Sequence, residues 1–198
     1  MIIPKKLEAG DKIGVISTAR KITIEELSPA IKTLESWGLK VVLGVNLFKE
    51  EDQFSGTVEQ RTADLQSMID DNSIKAIFCA RGGYGTVQLI DALDFSRFLL
   101  QPKWLVGYSD VTVLHNHINQ NLGIETLHGN MPISFPKEGE NESTETIRTA
   151  LFGKGYSLKF LVEEYSILPK QGLKAPIVGG NLSIIYSLTG TPSQIDAS

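Results

Sequence analysis

Gly107-Tyr108-Ser109-Asp110 follows an apolar run and precedes a helical pattern. A serine on a sharp strand-to-helix turn is held out at the sheet edge, where its hydroxyl can attack a carbonyl. The helix behind it presents unpaired N–H groups, and its dipole favours negative charge beside Ser109 and Asp110. Two plainer roles fit the same tetrapeptide: Ser109 as an N-cap, and Asp110 as a first-turn acid. The hydrolase pattern G-x-S-x-G is not met, because Val111 stands where its last glycine belongs.

A second run, Ala80-Arg81-Gly82-Gly83-Tyr84-Gly85, concentrates glycine. Such a backbone lets a ligand approach closely, and its N–H groups can form an oxyanion hole or an anion nest. The spacing R-G-G-Y-G matches neither the dinucleotide fingerprint nor the P-loop, and a plain tight turn fits it as well. Arg81 suits a substrate carboxylate through a bidentate pair, or else a surface acid. His115 and His117 share the helical stretch that begins at Ser109. At about 1.5 Å of rise per residue, both stand roughly two turns from the hydroxyl. Spaced i and i+2, they also point to different sides and do not make a metal pair. His128 reads as a structural hydrogen-bonding residue, and Trp37 and Trp104 read as core. The residues thus supply a nucleophile and oxyanion donors without a base.

Positioning these groups requires strands that end where they begin. Strand patterns cover residues 12–17, 39–45, 75–79 and 104–108, and helical patterns cover 23–37, 58–69, 86–93 and 109–121. Alternation of this kind implies βαβ crossovers and an α/β fold, a doubly wound, mostly parallel sheet over residues 1–135. Ligands in such sheets bind at the carboxyl ends of the strands, where the loops 17–20, 80–85 and 107–110 all fall. Residues 136–175 read as a linker region with a short helix and a strand-like run at 157–162. Residues 176–198 read as the start of a second lobe, with a final helix over 182–188.

Composition narrows the function classes. The chain has 198 residues, 41% hydrophobic and 21% charged, enough to bury a core. Lys+Arg 19 against Asp+Glu 23 leaves a formal charge of -4, with no basic excess for nucleic acid. The single Cys79 excludes an internal disulfide framework and a Cys-based zinc site. No apolar run reaches membrane-spanning length, and MIIPKKLEAGDK carries no signal-peptide core, so no membrane partner and a cytoplasmic location are expected.

Taken in order, L-x-x-G-D-x-I-x-V at 7–15, the Arg81–Gly85 run, Gly107-Tyr108-Ser109-Asp110 and His128-Gly129 resemble the LD-carboxypeptidase family. Val178-Gly179-Gly180-Asn181-Leu182 and Leu188-Thr189-Gly190-Thr191-Pro192 extend the resemblance over nearly the whole chain. That family includes muramoyl-tetrapeptide carboxypeptidases and microcin self-immunity peptidases. The resemblance implies a class I glutamine amidotransferase-like amino-terminal domain and a Ser-His-Glu peptidase with no metal and no cofactor. It implies Ser109 as nucleophile, backbone N–H groups of Gly83 and Asp110 as the oxyanion hole, and Arg81, Gly82 and Tyr84 as substrate contacts. The implied substrate is a murein tetrapeptide or a related peptide ending in a D-amino acid, cleaved by a homodimer.

The family's triad Glu and His come from a carboxy-terminal domain beyond the G-T-P segment. The sequence ends at Ser198, before those positions, so the 198-residue chain is expected to be nearly inactive by itself. Apolar surface is then expected around Ile177, Leu182, Ile185 and Leu188. The alternatives are a self-immunity-type peptidase cleaving a peptidyl-nucleotide amide, or a non-catalytic muropeptide-binding module.

Overall fold

Near-continuous apolar runs along short strands demand cover on both faces of a sheet, and helices between the strands supply it. A computed structural model of the protein describes residues 1–155 and 174–196. In chain order the elements are β1 (Lys12–Ile16), α1 (Ile24–Ser36), β2 (Lys40–Leu43), α2 (Val58–Asp70) and β3 (Ile74–Cys79). Then come α3 (Ser96–Leu100), β4 (Trp104–Gly107), α4 (Thr112–Leu122), β5 (Leu127–His128), α5 (Glu142–Leu151) and α6 (Leu182–Ser187). The sheet runs β2-β1-β3-β4-β5, and every pairing in it is parallel. This order reverses its direction of winding between β1 and β3, so the carboxyl ends of those strands flank a crevice.

The two-residue alternation sorts side chains to either face. Ile13 and Val15 of β1, Ala76 and Phe78 of β3, and Trp104 and Val106 of β4 pack with Leu27 and Leu34 of α1. Ile147 and Leu151 of α5 join that same core. Ile16, Ile77, Cys79 and Leu105 face the other way, toward Leu65 and Met68 of α2, Phe98 of α3 and Leu114 and Ile118 of α4. Helix α1 begins with a capping box in which Thr23 and Glu26 satisfy each other's backbone N–H. Gly38, at φ 84°, follows its end, as the spacing predicts.

Several expectations are corrected. Residues 86–93 form two 3-10 turns, Thr86–Gln88 and Ile90–Ala92, instead of one helix. The Gly85 and Thr86 N–H groups are captured by the Asp110 carboxylate, and the chain tightens through Gln88 N to Gly85 O and Leu89 N to Thr86 O. Helix α3 and strand β5 are too short for periodicity to reveal. The strand-like run at 157–162 lies outside the described residues. Helix α6 forms as expected, with Ile177 and Leu182 exposed and Ile185 half-buried. Leu188 is a correction: with Ile184 it is buried in the cluster that holds α4. No helix among the described residues is long and apolar enough to cross a membrane.

Candidate active site

Strand β4 ends at a glycine because nothing larger fits. A Cβ on Gly107 would lie 2.9 Å from the Val111 side chain. The same Val111 occupies the position where the hydrolase pattern has its last glycine. The Gly107 carbonyl accepts from Gly129 N at 3.1 Å and from His115 Nε2 at 2.9 Å, which fixes the strand end. Tyr108 is extended, and Ser109 then enters the left-handed region at φ 59°. A non-glycine residue held there costs of order 1–3 kcal/mol, so the surrounding packing must enforce it. A 3-10 turn, Ser109–Val111, leads into α4, and no side chain caps the entrance of either. Ser109 is therefore an elbow serine and not an N-cap.

The elbow faces a depression of about 240 Å³ lined by Arg20, Arg81, Gly82, Gly83, Tyr108 and Ser109, among others. The loop after β3 crosses it so closely that a Cβ on Gly82 would sit 3.6 Å from Ser109 Cβ and 3.8 Å from Asp110 N. Gly83 adopts φ 146°, and a Cβ there would lie 2.8 Å from Arg20 Cγ. Among the described residues, neither the Gly83 nor the Asp110 N–H has an acceptor. The depression thus brings together Ser109, Gly82, Gly83 and Arg81. Tyr84 is not among its lining residues and is 74% exposed.

The Asp110 side chain points away from the depression and is 1% exposed. Its Oδ2 accepts from Gly85 N at 3.1 Å, Thr86 N at 2.9 Å and Thr86 Oγ1 at 2.7 Å. The Gly85 carbonyl is held from the other side by the buried Arg61 guanidinium, at 3.3 Å. Arg61 also donates to Thr18 O at 2.8 Å and Gln88 Oε1 at 2.8 Å, and it lies over the Phe54 ring. Burial lowers its pKa from the ordinary value, while the charges of Glu51 and Asp110 oppose that shift. One peptide unit of the glycine loop is therefore gripped by opposite charges. Sequence reasoning missed Arg61; the available signal was a charge on the apolar stripe that α2 shares with Leu65 and Met68.

Arg81 Nη1 donates to Lys21 O at 3.2 Å and meets Glu26 Oε1 at 3.4 Å, so its fork already serves a surface acid. The histidines stand apart from Ser109's hydroxyl. His115 Nε2–H donates to the Gly107 carbonyl, so Nδ1 accepts from Thr126 Oγ1, at 2.7 Å. Burial pushes His115 down to about 4, which keeps it a neutral strut beneath the elbow. His117 Nδ1 lies 2.9 Å from Ser193 Oγ, and its ring packs on Phe95. His128 corrects an expectation. Its ring contacts Tyr108 and His115, but among the described residues the ring makes no hydrogen bond. No described histidine or acid lines the depression at Ser109.

Buried His115 makes the stability of the fold depend on pH. The unfolded chain takes up a proton near 6.5 and the folded one only near 4, so protonation favours unfolding. This contribution to stability is intact above pH 6.5 and declines as pH falls toward 4, by about 3 kcal/mol in total. Urea denaturation at pH 7 and pH 4.5 should show a smaller acid loss in His115→Gln than in the parent; equal losses would contradict the assignment.

Comparison with known proteins follows the same geometry. The description "LD-carboxypeptidase N-terminal domain" matches residues 13–129, which hold the glycine loop and the elbow. A probable murein peptide carboxypeptidase of Bacillus subtilis is 36% identical over 195 residues, covering 98% of this chain and 61% of that protein. The murein tetrapeptide carboxypeptidase of Pseudomonas aeruginosa is 29% identical over 194 residues, covering 94% and 62%. A crystal structure of an MccF-like protein from Bacillus anthracis superimposes with a TM-score of 0.83 at 27% identity, covering 99% of this chain and 67% of that one. The chain thus spans somewhat over three-fifths of the length of these curated relatives. With the family domain covering more than half of it, including both loops at Ser109, the chain belongs to the LD-carboxypeptidase family.

Proposed function

We propose that the protein is the nucleophile-bearing part of a serine LD-carboxypeptidase that releases terminal D-alanine from a murein tetrapeptide. The observation that carries this reading is the left-handed Ser109, set against the glycine loop, with N–H groups at Gly83 and at Asp110 of the elbow that have no acceptor among the described residues. In this reading, Ser109 Oγ attacks the carbonyl of the L-centre, and the tetrahedral oxygen receives hydrogen bonds from the Gly83 and Asp110 backbones. Each such donor is worth about 3 kcal/mol in the transition state. Collapse expels D-alanine and leaves an acyl-serine, which water then hydrolyses. No described residue is placed to take the Ser109 proton, and the reading assigns that step to the carboxy-terminal His and Glu that the family resemblance implies. Gly82 and Tyr84 flank the approach of the substrate, and Arg81 adds positive charge to its wall. In this reading the protein works as a homodimer in the cytoplasm, on recycled murein peptides, and uses no cofactor.

The relative that is 36% identical over 195 residues is named for murein peptides, which favours this substrate over a peptidyl-nucleotide amide. Chromatography of the products that a longer form, carrying the carboxy-terminal His and Glu, makes from a tetrapeptide ending in D-alanine and from its L-alanine counterpart tests the reading. Free D-alanine from the first and nothing from the second is the expected result. Equal cleavage of both, or cleavage only of an aminoacyl sulfamoyl adenylate, would contradict it.

A further inference from the structure

Two arginines line the depression at Ser109, and their guanidinium groups differ in what they already hold. Arg81 engages one nitrogen, Nη1, which donates to the Lys21 carbonyl and meets Glu26. Arg20 has its backbone fixed at the carboxyl end of β1: Ser17 Oγ donates to its carbonyl at 2.5 Å, and its N–H reaches Gly82 O at 3.4 Å. A bridge to Phe54 holds it from the other side. Its side chain then runs over the glycine loop, with Cγ 2.8 Å and Cδ 3.4 Å from where a Gly83 Cβ would stand. Among the described residues the Arg20 guanidinium has no hydrogen bond and no ion pair. It is an anchored stem ending in an unengaged cationic fork, beside one of the two oxyanion donors.

A peptide cleaved at its last amide carries a carboxylate whose carbon is no more than about 3.8 Å from the attacked carbonyl carbon, through C–N, N–Cα and Cα–C bonds. The oxyanion donors and the group that reads this carboxylate must therefore be close neighbours. We infer that Arg20, through its planar fork, is the receptor for the terminal carboxylate of the substrate and makes the site select chain ends. The inference rests on the peptidase reading of Ser109. It also gives Gly83 a second reason to lack a side chain, since any Cβ there would displace the Arg20 stem. A guanidinium and a carboxylate match in two parallel hydrogen bonds, whereas a terminal carboxamide offers one acceptor and no charge.

Calorimetric titration of the Ser109→Ala protein with a D-alanine-terminated tetrapeptide and with its C-terminal carboxamide tests this without turnover. The free acid is expected to bind about tenfold or more tightly than the amide. Adding Arg20→Gln should abolish the preference, Arg20→Lys should keep part of it, and Arg81→Gln should leave most of it. Arg20 is an exposed residue, so the thermal midpoints of these proteins should coincide. Equal binding of acid and amide by the parent, or a preference that survives Arg20→Gln, overturns the assignment while the peptidase reading stands. Failure of both peptides to bind the parent overturns both.

Discussion

In a longer form that carries the carboxy-terminal His and Glu, Ser109→Ala is expected to lower the proposed D-alanine release by about a thousandfold to a millionfold, with the loss in kcat and KM little changed. The hydroxyl makes no hydrogen bond among the described residues, so its removal disturbs no ground-state contact. The oxyanion donors belong to the backbone and stay in place. A steady-state assay in which KM rises and kcat holds would mean that Ser109 binds substrate and does not attack it. The same position makes a second, opposite demand on stability. At φ 59° a residue with a Cβ is strained, and glycine is not. Ser109→Gly should therefore be as inactive as the alanine variant and yet unfold at a higher temperature, because the strain belongs to the elbow.

Asp110→Ala is expected to cost about 3–5 kcal/mol of stability, since each buried donor left without its acceptor costs about 1–3 kcal/mol. Three donors, Gly85 N, Thr86 N and Thr86 Oγ1, would lose their acceptor in the interior. Arg61 would keep its charge and lose the nearby opposite one. Asp110→Asn keeps an oxygen acceptor in the same place and should lose markedly less. Urea midpoints of the two variants provide the check, and equal losses would show that the acceptor geometry is not what holds the loop. Since Asp110 also contributes its backbone N–H to the proposed oxyanion hole, the residue ties the hole to the loop that completes it.

Much of this arrangement is legible in residue order. The apolar runs ending at Ile16, Cys79 and Gly107 announce three strand ends, and parallel βα units bring such ends to one edge. That places Ser109 and the Arg81–Gly85 run together before any coordinates exist. The glycines at 82, 83 and 107 mark close approaches that the structure fills with Met131, Arg20 and Val111. What escapes the sequence is reciprocal. Periodicity describes one segment at a time, whereas the grip on Gly85 needs Arg61 from α2 and Asp110 from the elbow. The competition that turns residues 86–93 into 3-10 turns comes from that same distant carboxylate. Arg20 is not legible in the sequence, because an arginine in a polar loop is ordinarily a solvated one; only its stem lying across Gly83 sets it apart. The roles of His115 and His117 as struts were half visible, since their distance along α4 from Ser109 already ruled out a base.

The proposed chemistry turns on Ser109 as the nucleophile. Peptide mapping by mass spectrometry after treatment with a fluorophosphonate tests it most directly. A single adduct on Ser109, suppressed by prior addition of the D-alanine-terminated tetrapeptide, is the result this account predicts. D-Alanine release stopped by the reagent with Ser109 unmodified would contradict it.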